Sequence, residues 1–172
     1  MAAQFVTKNQ PMYVDKNSTL TRPSNTTVYS DGDAILDTIG IATQKFAGIA
    51  KSSGRGVNII NLVALTNDTG LAGKTINVVF YKSSPASPIA DNAAFSYSSA
   101  DGLINKGVIP LTFGTGVSAN VAQVGVESSG TVINLELCPT ATDVFYQVWL
   151  PVGYTPSANS TYIIFKASAI QN

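Results

Sequence analysis

The chain has 172 residues, which predicts a single domain, and its ten basic and ten acidic side chains give a formal net charge of zero. Charged residues make up only 12%, against about 25% in an average protein, so the composition argues against electrostatic binding of nucleic acid. Histidine is absent and Cys138 is the only cysteine, which excludes His-dependent catalysis, His-ligated metals, internal disulfides and cysteine-cluster metal sites.

The first 27 residues are polar and irregular and contain two prolines. We predict that residues 1–27 form an extended N-terminal arm and that residues 28–172 form the main domain, because such a segment buries too little apolar surface to order on its own. The alternative, a first strand and a loop of the chain's own domain, explains these residues equally well. The apolar exceptions in the arm are Phe5, Val6, Met12, Tyr13 and Val14. Among them we predict that Phe5, Met12, Tyr13 and Val14 bind a partner.

From residue 27 onward, short β-prone segments alternate with turn residues. The predicted strands are 27–30, 34–37, 43–49, 57–66, 75–82, 107–113, 120–126, 131–138, 144–150 and 161–168. One helical turn is predicted at 101–106. Many short strands without intervening helices predict an all-β fold, a single antiparallel β-sandwich that is jelly-roll-like. Segments 144–150 and 161–165 are apolar on both faces, which predicts that they lie between two sheets or at a subunit contact.

Two motifs resemble ligand sites but lack essential parts. Residues 70–75 read Gly-Leu-Ala-Gly-Lys-Thr, yet a phosphate-binding loop needs glycine where Asp68 stands and a helix where residues 76–81 predict a strand. We therefore predict a hairpin loop joining segments 57–66 and 75–82. Residues 31–33, Asp-Gly-Asp, predict a turn, because the further ligands of a calcium loop are missing. No cofactor or metal is predicted.

A few single residues and the first residues of the chain lead to further expectations. Cys138 ends an alternating segment and is predicted to be a buried structural thiol. Trp149 is predicted to pack in the core, whereas Tyr97 and Tyr154 lie in loops and could stack on sugars. The first residues lack the pattern of a secretory signal, and apolar runs stay under ten residues, so neither secretion nor a membrane span is expected.

Four blocks of the sequence resemble small structural proteins of tailed-bacteriophage virions that decorate or cement the head. The blocks are residues 29–35, residues 53–60, residues 78–85 with 90–95, and residues 146–150 with 154–156 and 162–165. No functional residues follow from the resemblance, since such proteins have no catalytic motif to match.

The resemblance implies a non-enzymatic β-sandwich that decorates and stabilises an icosahedral phage capsid by binding the lattice of the major capsid protein. It also implies a homotrimer on the outer capsid surface of a virion assembled in the host bacterial cytoplasm. The alternative is a head-fibre or tail-associated module that binds a receptor, with host-surface glycans as partners. Neither reading involves nucleic acid or a membrane.

Overall fold

The computed structural model describes residues 12–38, 44–86, 89–96, 98–115, 122–123 and 135–172. These residues form ten strands, one short helix α1 (Ser99–Ile104) and a 3₁₀ turn (Thr69–Leu71). The strands are β1 (Met12–Thr21), β2 (Ala34–Ile35), β3 (Lys45–Phe46), β4 (Val57–Thr66), β5 (Thr75–Tyr81), β6 (Asn105–Thr112), β7 (Ala122–Gln123), β8 (Leu135–Leu137), β9 (Val144–Trp149) and β10 (Tyr162–Gln171).

The strands make two five-stranded antiparallel sheets. In the first sheet the order is β1-β10-β4-β7, with β8 also paired to β4, and in the second it is β2-β9-β5-β6, with β3 also paired to β9. β7 and β8 share one strand position, as do β2 and β3, so each sheet has four positions. Eight positions in two sheets, connected by crossings between them, make a jelly roll, and the predicted all-β, jelly-roll-like sandwich is confirmed.

The core lies between the two sheets and follows from the two-residue period of the strands. Inward-facing side chains of β10, β4, β5 and β9 are fully buried in a single cluster. Their aromatic members pack closely: the Tyr146 ring meets Phe165 edge-on at 5.0 Å and lies 5.3 Å from Phe46. At its edge the Tyr146 hydroxyl is 2.8 Å from Ser18 Oγ of β1, so the buried phenol keeps a hydrogen bond.

Much of the predicted arm is a strand of the sandwich. Residues 12–21 form β1, which pairs with β10 along its ten residues, and Ser18 and Leu20 bury their side chains. The boundary predicted at residue 28 therefore needs correction for this segment, and the alternative of a first strand and a loop describes it. The pairing gives alternate backbone groups of β1 hydrogen-bond partners in β10. Composition alone does not reveal this stabilisation. Residues 1–11 lie outside the described part of the chain.

Part of the outer face of the second sheet is also buried. Val79, Tyr81 and Gln147 alternate with core residues and are 0–4% exposed, whereas Val108 of β6 is 49% exposed. The connection between β5 and β6 approaches this face, and we call its described residues, 82–86, 89–96 and 98–104, the cover segment. Within it Phe95 stacks on Trp149 at 5.8 Å. The second face of segment 144–150 is thus partly buried by the chain itself, with Gln147 buried and Phe145 and Trp149 half-buried.

Two further expectations are corrected by the strand connections. The loop after β4 crosses from the first sheet to the second, so β4 and β5 are not a hairpin. Cys138 is exposed, because β8 ends at Leu137 and the chain leaves the sheet there. The predicted helical turn exists but begins and ends two residues earlier, as α1.

Candidate functional site: a cleft at one end of the sandwich

Three loops meet at one end of the jelly roll: residues 22–33 after β1, 67–74 after β4, and 150–161 after β9. The first and third are joined by backbone hydrogen bonds in both directions between Tyr29 and Tyr154, at 3.0 and 3.2 Å. The loops are therefore held as an extension of the sandwich. Loops on a rigid scaffold are where binding residues concentrate in proteins, so this end is the candidate site.

The carboxylate of Asp68 is the centre of the loop assembly. Its Oδ1 accepts hydrogen bonds from the Gly70 amide at 3.0 Å and from the amide and hydroxyl of Ser157 at 2.9 Å each. Its Oδ2 accepts from the hydroxyls of Thr161 at 2.9 Å and Tyr154 at 3.1 Å. One buried carboxylate thus joins the loop after β4 to the loop after β9.

Arg22 brings the loop after β1 into the same network. Its side chain is fully buried; Nη1 donates to Thr161 Oγ1 at 3.0 Å and lies 3.6 Å from Asp68 Oδ2. Nε donates to the Tyr29 hydroxyl at 2.8 Å. Burial opposes the charge of Arg22, but the neighbouring Tyr154, Tyr29 and Asp68 outweigh it and raise the pKa of the guanidinium above its ordinary value. A buried ion pair has a high desolvation cost, so this one serves position rather than stability alone.

The two tyrosines of the network are stacked and buried. The rings of Tyr29 and Tyr154 are parallel within 6°, with centroids 5.3 Å apart, and the Arg22 guanidinium lies 4.8 Å from the Tyr29 ring centroid. Tyr29 donates from its hydroxyl to Asp91 Oδ1 at 2.7 Å. Burial raises the pKa of both phenols far above the usual value, so both stay protonated hydrogen-bond donors at any physiological pH.

Above this network lies an open cleft of about 630 Å³. The polar side chains on its wall belong to Ser30, Asp31, Lys74 and Thr155, and Val28 adds an apolar patch that is 57% exposed. The Gly153 amide donates to Asp31 Oδ1 at 2.7 Å, which orients that carboxylate. Within the described residues Lys74 makes no ion pair.

Two glycines let the loops approach closely enough to form the floor of the cleft. A β-carbon added at Gly70 would lie 2.2 Å from the Thr155 carbonyl oxygen, and one added at Gly153 would lie 2.2 Å from that of Tyr29. Any larger residue would push the loops apart. Gly70, noticed in the sequence as part of a phosphate-loop lookalike, is therefore needed for loop packing, and a strand follows it, as predicted.

The cleft provides hydrogen-bonding groups rather than reactive ones. In the part of the chain that the structure describes, no group of three His, Cys, Asp or Glu side chains could hold a metal ion. Among the described residues no helix is long and apolar enough to cross a membrane. The arrangement can hold a ligand in a fixed geometry.

The structure places the residues singled out in the sequence in different environments. Met12 and Tyr13 are 54% and 71% exposed at the start of β1, whereas Val14 packs against the core; Phe5 lies outside the described residues, as does Tyr97. Tyr154 is 5% exposed, so the expectation of an open sugar-stacking ring is wrong for it.

Trp149 is half-buried, outside the core, under Phe95. The Asp-Gly-Asp turn is confirmed: Gly32 has a φ of 86° and Asp33 accepts from the Ser30 amide at 2.6 Å. Arg22 and Asp68 were missed as network residues. A polar residue at the end of a β-prone segment gives no sign of its burial, and only tertiary contact reveals it.

Comparison with known proteins adds little to this geometry. No protein-family model matches the chain, and no curated protein is similar to it in sequence. Among solved structures, the chain is similar to one of Desmodium yellow mottle tymovirus, with 14% identity and a TM-score of 0.27 over 99% of this chain and 92% of that one. A structure of Turnip yellow mosaic virus at 100 K matches with 11% identity and a TM-score of 0.26, over 94% and 93%. At such low scores the fold assignment rests on the strand order.

Proposed function

We propose that this chain is a non-enzymatic structural protein of a tailed-phage virion, which decorates the outer capsid surface by binding the lattice of the major capsid protein. The observation that supports it most is the spatial arrangement of the blocks that resemble head-decoration proteins. Blocks from three separate parts of the chain meet: Val148 pairs with Ile35 on one side and with Val78 on the other, and Asp33 bridges to Ala94. The blocks that carry the resemblance are therefore neighbours in one part of the fold.

The surface proposed for attachment is the start of β1. Met12 and Tyr13 are large apolar side chains that are mostly exposed, and burying each contributes about 1.5–3 kcal/mol before ordering costs. Phe5 belongs to the same proposal as a further anchor toward the capsid protein. Repeated over many subunits of a lattice, such modest contacts give stable attachment.

A homotrimer is also part of the proposal. The outer face of the first sheet offers a broad surface for this contact, with Tyr162 38% exposed and Ile164 and Ile170 half-buried. Light scattering of the purified protein at micromolar concentration measures the assembly state. A monomer both in solution and on the particle contradicts the trimer.

The location on the virion is tested by counting copies. Quantitative mass spectrometry of purified particles should give this chain in hundreds of copies, in fixed ratio to the major capsid protein. A count of only a few copies would contradict decoration and favour a tail-associated role. Attachment is then tested with Met12→Ser/Tyr13→Ser, which should weaken binding to capsids, while the matched control Leu103→Ser, at a residue 81% exposed on α1, should not.

A further inference from the structure

We infer that the cleft at the loop end binds an uncharged saccharide unit, a function beyond capsid attachment and independent of it. The first reason is size and shape. Small-molecule sites typically enclose about 300–1,000 Å³, and this cleft of about 630 Å³ is formed by three loops of one chain.

The second reason is that a buried hydrogen-bond network, which includes an ion pair that is costly to desolvate, holds the loops of the cleft in place. Two of its wall residues are held by hydrogen bonds to buried charged groups: Tyr29 to Arg22 at 2.8 Å, and Tyr154 to Asp68 at 3.1 Å. Arg22 and Asp68 are themselves an ion pair at 3.6 Å. At Gly70 and Gly153 the facing loops are so close that neither position has room for a side chain. A preorganised cleft loses little entropy when a ligand binds, which favours even weakly contacting ligands such as sugars.

The third reason is the chemistry of the wall. Asp31 offers a carboxylate acceptor already oriented by the Gly153 amide, Lys74 offers an ammonium donor, and Ser30 and Thr155 offer hydroxyl groups on exposed residues. One positive and one negative group balance, which disfavours a phosphate or another anion. Donors and acceptors together with the apolar Val28 suit a ring with hydroxyl groups on its edge and C–H groups on its face.

The test uses the full-length ¹⁵N-labelled protein titrated with the methyl glycosides of glucose, galactose, mannose and N-acetylglucosamine, with inorganic phosphate as a charged probe. We expect at least one glycoside to shift the amides of residues 28–31, 70–74 and 153–155 saturably in the millimolar range. Phosphate should leave them unchanged. If no glycoside binds, if phosphate binds in a Lys74-dependent manner, or if the shifts fall elsewhere, the inference is wrong.

Two variants locate the binding to the proposed groups. Lys74→Met removes the ammonium and should weaken the glycoside at least about tenfold, whereas Lys166→Met, on the outer face of the first sheet, should leave affinity unchanged. Asp31→Asn keeps an oxygen for the Gly153 amide and removes the negative charge, and should also weaken binding. Amide spectra of the free variants verify the fold. Equal binding by Lys74→Met and Lys166→Met would refute the saccharide site. The proposed capsid role would be unaffected, because it is tested separately by the number of copies per virion.

Discussion

The outer faces of the two sheets differ, although both sheets have four strand positions around one core. On the first sheet the outward side chains of β10 include the exposed Tyr162 and Lys166, and those of β4 include the exposed Asn61. On the second sheet Val79 and Tyr81 are outward and yet fully buried, although Val108 of β6 is 49% exposed. The first sheet thus leaves its outer face open to solvent, whereas the chain itself buries part of the outer face of the second sheet.

The difference explains the local sequence patterns. β10 alternates between buried and less buried side chains, as a strand does with one face on a core. β5 ends in four consecutive buried residues, Val78–Tyr81, because both of its faces are covered. In β5 the run that is apolar on both faces thus lies where the chain itself covers the sheet, whereas the other segment predicted to be apolar on both faces, 161–165, has Tyr162 exposed.

The largest expected loss of stability comes from a charge on the buried part of the second sheet's outer face, compared with a charge on the outer face of the first sheet. Val79→Asp buries an unpaired carboxylate and should destabilise the protein by about 4 kcal/mol or more, enough to prevent folding of a marginal domain. Val63→Asp, on the half-buried outer face of β4, should cost only about 1 kcal/mol. Chemical denaturation measures both, and similar values for the two variants would contradict the covered face.

Removing the ring that fastens the cover segment should have the next largest effect. Phe95→Ala deletes the stack on Trp149 and should cost about 2 kcal/mol, less than the ~3–5 kcal/mol of a fully buried phenylalanine. Trp149 fluorescence should shift to longer wavelength as its surroundings become wetter. Tyr13→Ala, at a residue 71% exposed on the first sheet, is the control and should lie within about 0.5 kcal/mol of the parent. An unshifted Trp149 emission would argue against the stacked cover.

Loss of a single hydrogen bond on the buried part of this outer face should have a smaller effect on stability. The Tyr81 hydroxyl donates to Gln147 Oε1 at 2.7 Å, with both residues buried. Tyr81→Phe leaves the Gln147 oxygen without this donor and should cost about 1–3 kcal/mol in the free energy of unfolding. Tyr162→Phe, at an exposed residue of β10, should change stability little. Equal costs would mean that water reaches the outer face of the second sheet.

The smallest expected effect is at an uncovered end of the second sheet. Lys45 Nζ donates to Asp143 Oδ2 at 2.7 Å and the Gly48 amide donates to Asp143 Oδ1 at 2.9 Å. These two hydrogen bonds hold the pKa of Asp143 below its ordinary value of 3.8. The contribution is present above pH ~4 and is lost as the pH falls through the lowered pKa. Asp143→Asn should therefore cost under about 1 kcal/mol at neutral pH, because the pair is partly exposed.

The pH dependence separates this ion pair from simple packing. The difference in unfolding free energy between the parent and Asp143→Asn should vanish in acid, where Asp143 of the parent is protonated. Denaturation curves at neutral pH and at the acid end measure it. A difference that persists in acid would assign the effect to packing.

Local periodicity predicted several of the strands closely, although the strand predicted at 27–30 is a loop with one isolated bridge at Tyr29. β4 begins and ends where the sequence predicted it, at residues 57 and 66, and β5 and β9 each end one residue early. The antiparallel sandwich follows from many short strands without helices between them. These features depend on side chains two residues apart, and each segment contains that information in itself.

What the tertiary structure decided is which strands are neighbours and which polar groups become buried. β1 has the polar sequence of an arm, and only its ladder with β10 makes it a strand. Arg22 and Asp68 lie in different loops far apart in the sequence, and the local sequence of neither residue indicates that it is buried. Composition and periodicity therefore determined the kind of fold, because strand formation is local. The cleft, the covered sheet and the buried ion pair depend on contacts between distant segments, and folding alone brings those segments together.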